Sequence, residues 1–227
     1  MRQFLLIDAD DTLWENNVYF EEAFQEFVDF LDHSTLTKEQ IRAILDEIEL
    51  VNIKVHGYGS LNFGRNLRQC YVRLAERQIR EEDLERVMGF ARRILDRPVE
   101  LIEGVPETLE YLAARHDLTL FTKGHAEEQR LKIDRSGLGR FFRNTAIVKE
   151  KDVASYRRLV AEGNLDPART WMVGNSPRSD IKPALEAGIG AVYVPHPRTW
   201  HLEKEPVADG HDRLLIVGSF AELRRYF

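Results

Sequence analysis

Phe4-Leu5-Leu6-Ile7-Asp8-Ala9-Asp10-Asp11-Thr12-Leu13 decides how this chain is read. Its four leading apolar residues show no polar alternation, the pattern of a strand buried on both faces of a parallel sheet. The strand runs directly into three carboxylates and a threonine. In an open α/β sheet the chemistry lies just beyond the carboxyl ends of the strands, which puts Asp8 and Asp10 at the rim of a crevice. Two carboxylates about 4 Å apart repel by about 4 kcal/mol at an effective dielectric near 20. A cation or a shared proton relieves such a pair. A hard divalent cation, an aspartate nucleophile and a nearby acid/base group together account for the arrangement. An Asp8 that merely caps the following turn is the simpler alternative.

Beyond Leu13 the pattern changes. Val18, Phe20, Phe24, Phe27, Val28 and Leu31 recur at helical spacing and predict an amphipathic helix of about four turns. Thr37-Lys38-Glu39-Gln40 has the form of a capping box opening a second helix. Gly57 and Gly59 mark a loop over Val55–Ser60. Further helices are predicted over Asn66–Gln78 and Glu82–Asp96. The block 15–97 is therefore expected to be an all-helical bundle inserted after the first strand, like a lid.

From Pro98 onward, short apolar runs alternate with helical ones, which predicts a parallel sheet with crossovers. Leu118–Phe121, Ala146–Val148, Trp171–Val173, Ala191–Val194 and Leu214–Val217 read as its strands. Between them, Pro106 opens one helix, Gly137 stops another, and Asp152 caps a third that closes at Gly163. Ser219 is expected to cap a short final helix. The first strand must join this sheet, because a lone strand has nothing to pair with. The fold class is thus α/β, a doubly wound parallel sheet, with 1–14 and 98–227 forming the core and 15–97 the helical insert.

Composition bounds the function. The chain has 227 residues, 43% of them hydrophobic and 31% charged, enough for a real core and a soluble surface. A formal net charge of −6 gives no electrostatic support for binding nucleic acid or an anionic membrane. Cys70 is the only cysteine and lies in a helical pattern, so a packed thiol in a reducing compartment is expected. No apolar run is long enough for a signal peptide or a membrane span, which makes cytoplasmic the expected location. The histidines carry no recognised metal spacing and read as surface residues.

Four strands end in polar landmarks: Asp8 and Asp10, Thr122, Lys149 or Lys151, and Asn175 with Asp180. Their order resembles the four motifs of the haloacid dehalogenase-like hydrolase superfamily, and the helical insert resembles the cap that many members carry. The first motif departs from the common pattern by having Asp11 where many members have Gly. The last, Gly174-Asn175-Ser176-Pro177-Arg178-Ser179-Asp180, has Asn in place of the first Asp.

The resemblance implies roles. Asp8 is the expected nucleophile, forming an aspartyl-phosphate. Asp10 is the expected acid and then base, a role worth about 10²–10⁴-fold, and phosphatases of the family have this second Asp where dehalogenases generally lack it. Thr122, with the N–H groups of Lys123 and Gly124 at a helix start, is expected to hold phosphoryl oxygens. Lys151 is preferred as the charge-neutralising lysine, with Lys149 its rival. Asp8, the Asp10 carbonyl, Asn175 and Asp180 are the expected Mg²⁺ ligands. Ser179 reads as a turn residue. Lys54, His56, Tyr58 and Arg65 in the insert, and the segment Pro195–His201, are candidates for contacting the rest of the substrate.

The leading expectation is a Mg²⁺-dependent phosphatase acting on a small phosphorylated metabolite, as a monomer or homodimer. A 2-haloacid dehalogenase, a catalytically silent phosphate-binding module and a phosphotransferase are the alternatives.

Overall fold

Leu5, Leu6 and Ile7 are essentially inaccessible to solvent. They face opposite ways: Leu5 and Ile7 belong to one apolar cluster and Leu6 to another. The computed structural model that shows this describes residues 1–207 and 210–227. Burial on both faces is what an uninterrupted apolar strand requires.

That strand, β1 (Phe4–Ile7), lies inside a six-stranded sheet with β2 (Asp117–Lys123), β3 (Asn144–Val148), β4 (Thr170–Gly174), β5 (Gly190–Tyr193) and β6 (Leu214–Ile216). The order is β3-β2-β1-β4-β5-β6 and every pairing is parallel. Ile7 sits opposite Leu120 on one side and Val173 on the other. The three strands run side by side in one direction, β2 continuing past β1 to Lys123, and the order reverses at β1, the position at which doubly wound sheets open a crevice.

The chain divides into two units, Met1–Asn17 with Val99–Phe227, and Val18–Pro98. In the first, Val105, Leu109 and Leu112 of α5 (Val105–Ala113) and Ile133 of α6 (Ala126–Ser136) join the cluster of Leu5 and Ile7. Tyr156 of α7 (Val153–Glu162) and Ala184 of α8 (Lys182–Glu186) join the cluster of Leu6. Asp152 caps α7 by accepting the Ser155 N–H, and Gly137 ends α6 in the left-handed region at φ 65°. The last helix differs from expectation. Phe220–Arg225 is a 3₁₀ stretch and the Ser219 hydroxyl makes no capping bond; Glu222 instead accepts the Gly218 N–H at 3.3 Å. His116 also departs from the surface reading: it is buried, with Nδ1 accepting the Gln3 N–H at 3.1 Å.

The second unit is all helical, and its helices are α1 (Asn17–Leu31, beginning at the junction), α2 (Lys38–His56), α3 (Ser60–Leu74) and α4 (Glu81–Arg92). Phe24, Phe27, Leu45, Leu67, Cys70, Tyr71 and Val87 form its core. Thr37 and Gln40 close the capping box reciprocally. Helix α3 starts six residues before the expected Asn66, at Ser60. The cause is Asn62, whose amide donates to the carbonyls of Gly57 and Tyr58 at 3.3 and 3.4 Å and so closes the turn from α2. The end expected at Asp96 tightens into a 3₁₀ turn, Arg93–Asp96. No helix among the described residues is long and apolar enough to cross a membrane.

Candidate active site

Asp8 follows β1 directly and its N–H continues the ladder to the Val173 carbonyl at 2.9 Å. Its carboxylate is buried. Oδ2 accepts the Thr12 hydroxyl at 3.0 Å and Oδ1 accepts the ammonium of Lys151 at 2.5 Å. The same ammonium lies 2.7 Å from Asp180 Oδ1. The first and fourth motifs thus meet on one lysine. Of the two lysines the sequence offered, Lys149 is exposed, whereas Lys151 is 3% exposed and is the one that reaches Asp8.

Asp180 is carried by a single turn of π-helix, Pro177–Ile181, a distortion often found where a functional side chain must be re-aimed. Its Oδ2 accepts the Ser176 N–H at 2.9 Å. Gly174 makes this possible, because a Cβ there would fall 2.2 Å from Asp180 Oδ2. The buried hydroxyl of Tyr156 holds the turn from behind, donating to the Ser179 carbonyl at 2.9 Å.

The electrostatics follow from two carboxyl groups sharing one ammonium out of water. Burial, and then Asp8, push the Asp180 carboxyl up to about 7 despite Lys151. Burial works against the charge on Lys151, yet Asp180 and Asp8 hold its pKa above the usual range. A second positive charge at this place would relieve Asp180, and the groups that converge here are oxygen donors, the type magnesium prefers. Asp8, Asp180 and, joined to Asp8 through Thr12, Asn175 Oδ1 are groups of that kind.

The Asp10 side chain does not join this pair. Its carboxylate accepts Lys132 Nζ at 2.6 and 2.7 Å, Gln129 Nε2 at 2.8 Å and Trp14 Nε1 at 2.8 Å. Burial alone would raise its pKa, but the Lys132 ammonium overrides that and lowers it. Asp10 therefore rests as an anion.

Asp11 has a φ of 58°, in the left-handed region that favours glycine. Aspartate is tolerated because its carboxylate accepts the N–H groups of Asn16 and Asn17 at 2.9 and 3.0 Å, pinning the loop after β1. Burial, opposed by those amides and reinforced by Asp10 and Asp8, brings its carboxyl up to about 7.

Thr122 is buried at the end of β2, and its hydroxyl has no protein partner among the described residues. The expectation for Gly124 needs correction. Its N–H is taken by the Val148 carbonyl at 3.0 Å, so the sheet edge, not a phosphoryl group, uses it. Successive N–H groups alternate sides along a strand. The Lys123 N–H therefore points the other way, toward the side of β1 and Asp8. Gly124 is required for another reason: at φ 139°, a Cβ would sit 2.8 Å from Gln129 Nε2.

Asn175 is buried, its Oδ1 accepting the Thr12 hydroxyl at 3.3 Å and its Nδ2 donating to Thr199 Oγ1 at 2.9 Å. Thr12 thereby joins Asn175 to Asp8. Thr199 lies in the Pro195–His201 segment, which is thus tied to the fourth motif. Ser179 is no idle turn residue: it is 3% exposed and bonded to Glu203 and Lys123. Among the described residues, Asp11, Glu15 and His196 also bring ligand-type atoms within 4.8 Å of one another. There, His196 Nδ1 accepts the Arg198 N–H at 3.3 Å and Nε2 faces Glu15 at 3.4 Å.

Sequence reasoning missed Lys132, Gln129 and Glu203. Gln129 and Lys132 are three apart on α6, hence on one face, and that spacing was the available signal. Nothing local marks Glu203, which ends a short 3₁₀ turn, His201–Glu203, after β5.

A family model described as haloacid dehalogenase-like hydrolase matches residues 4–188. No curated protein matches the chain. A haloacid dehalogenase-like family hydrolase from Xanthomonas campestris superposes with a TM-score of 0.85 at 32% identity, over 99% of this chain and 90% of that one. A Bacillus subtilis protein described as a HAD-hydrolase bound to magnesium gives 0.70 at 16% identity, over 99% and 98%. A 2-haloacid dehalogenase from Pseudomonas syringae gives 0.66 at 21% identity, over 99% and 97%. The last two share the fold. With the sheet, the strand-end residues and the family match in agreement, the chain belongs to the haloacid dehalogenase-like hydrolases.

Proposed function

We propose that the chain is a Mg²⁺-dependent phosphomonoesterase acting on a small phosphorylated metabolite. The observation that carries this reading is the pair of buried carboxyl groups, Asp8 and Asp180, on the single ammonium of Lys151. Asp8 attacks phosphorus and the phosphoryl group passes to its carboxylate. Lys151 offsets the charge of the aspartate and the phosphoryl oxygens together. The Thr122 hydroxyl and the Lys123 N–H hold those oxygens. Asp8, Asp180, the Asp10 carbonyl and Asn175 would hold Mg²⁺, which would supply Lewis-acid charge compensation worth on the order of several kcal/mol. The magnesium bound by the Bacillus relative supports this assignment.

Asp10, anionic against Lys132, is ready to take a proton from water in the second half-reaction. To protonate a leaving alkoxide it must first gain a proton and loosen from Lys132. An aryl oxide leaves without that proton, so aryl phosphates should turn over faster than alkyl ones. Release of phosphate from an aryl phosphate, dependent on Mg²⁺ and lost in Asp8→Asn, tests the proposal.

The Asp10–Lys132 pair also favours a second reading, displacement of halide from carbon by Asp8, which needs no acid at Asp10. Halide release from a 2-haloacid that persists in chelator, with no phosphate release from any phosphomonoester, would select it.

A further inference from the structure

Glu203 is buried in the segment after β5 and makes three bonds with its carboxylate. Oε2 accepts the Ser176 and Ser179 hydroxyls, both at 2.5 Å, and Oε1 accepts Lys123 Nζ at 2.7 Å. The same ammonium donates to Ser179 Oγ at 2.8 Å. Ser176 caps the π-turn that aims Asp180 and Ser179 lies within it, and Ser176 supplies the N–H that fixes Asp180 Oδ2. Lys123 directly follows Thr122. One buried carboxylate thus ties the end of β2 to the loop after β4.

We propose that Glu203 is a positioning residue. Through Ser176, Ser179 and Lys123 it fixes where Asp180 stands relative to Asp8 and Thr122, without touching the reacting atoms. Burial would otherwise favour its neutral form, but Lys123 and the two hydroxyls keep its pKa low. A neutral side chain there would have to donate as well as accept, and the two serines would lose their common acceptor. The claim rests on the phosphatase reading only for its kinetic consequence; the geometry of the loop is independent of it.

The test uses the full chain and the variants Glu203→Gln, Ser176→Ala/Ser179→Ala and, as control, Glu205→Gln, whose side chain pairs with Lys182 at the surface. Amide hydrogen exchange followed by mass spectrometry reads residues 175–181. The expected result is exchange about tenfold or more faster in that segment for Glu203→Gln, with other core peptides unchanged. With an aryl phosphate, kcat and Mg²⁺ affinity should fall together by about 10–100-fold while KM holds. The double serine variant should move the same readouts in the same direction, and Glu205→Gln should move none. Should Glu203→Gln not fold, the double serine variant carries the test alone.

Unchanged exchange over 175–181 would overturn the proposal, as would a uniform rise across all peptides, which marks a merely structural glutamate. If the wild type hydrolyses no phosphomonoester, the phosphatase reading fails by itself and the exchange result still decides the role of Glu203.

Discussion

The Lys151 ammonium lies 2.5 Å from Asp8 Oδ1, reaching from the loop after β3 past β2 to the tip of β1. Its side chain is 1% exposed, so the contact is made almost entirely out of water, and Asp180 closes the other side at 2.7 Å.

Lys151→Met tests that contact first. It leaves two buried carboxyl groups without a cation, and breaking such a pair costs about 3–5 kcal/mol. We expect urea melts at pH 8 to show a loss of this size. The loss should be smaller at pH 5, where Asp180, raised to about 7, holds its own proton. Saturating Mg²⁺ should restore part of it. Equal stability of variant and wild type at pH 8 would contradict the account.

A second prediction concerns Lys132. With Lys132→Met, burial dominates at Asp10 and its pKa rises. The carboxyl then carries a proton over more of the neutral range. The rate with alkyl phosphates should rise relative to that with aryl phosphates, and the pH optimum should move upward. A pH–rate series on both substrates decides it; identical profiles for variant and wild type would show that Asp10 is not the acid.

Much of this was legible in the sequence, for identifiable reasons. Asp8 announces itself because an acidic residue directly after a buried apolar strand has few structural uses, and Asp180 because it closes the motif over residues 174–180 that runs on from β4. Cys70 was read correctly as packed, since it is buried and its thiol is pushed up to about 12. The side-chain orientation of Asp10 was not legible, because it depends on a lysine and a glutamine from α6, far along the chain. Gly124 misled for a local reason: a glycine before a helix suggests an anion site, whereas here the N–H completes the sheet and the missing Cβ makes room for Gln129. Glu203 lies in a stretch without periodicity, so only tertiary contact reveals it.

Asp11 supplies a prediction on pH. A carboxyl whose pKa rises from 3.8 to about 7 on folding binds its proton more tightly in the native state. Its favourable contribution is complete below about pH 4 and is lost as pH rises through about 7. Asp11→Asn keeps an acceptor for the Asn16 and Asn17 amides and tolerates the left-handed backbone. Between pH 5 and 8 the variant should gain on the wild type by on the order of 1–3 kcal/mol. Stability profiles from urea melts that run parallel across this range would refute the assignment.

The most direct test of the central claim is to quench the protein during turnover of an aryl phosphate and weigh the peptide containing Asp8. The account predicts one phosphoryl group on Asp8, present with Mg²⁺, absent with chelator and absent in Asp8→Asn. Steady phosphate release with Asp8 unmodified at every quench time, or with the phosphoryl group on another residue, would contradict it.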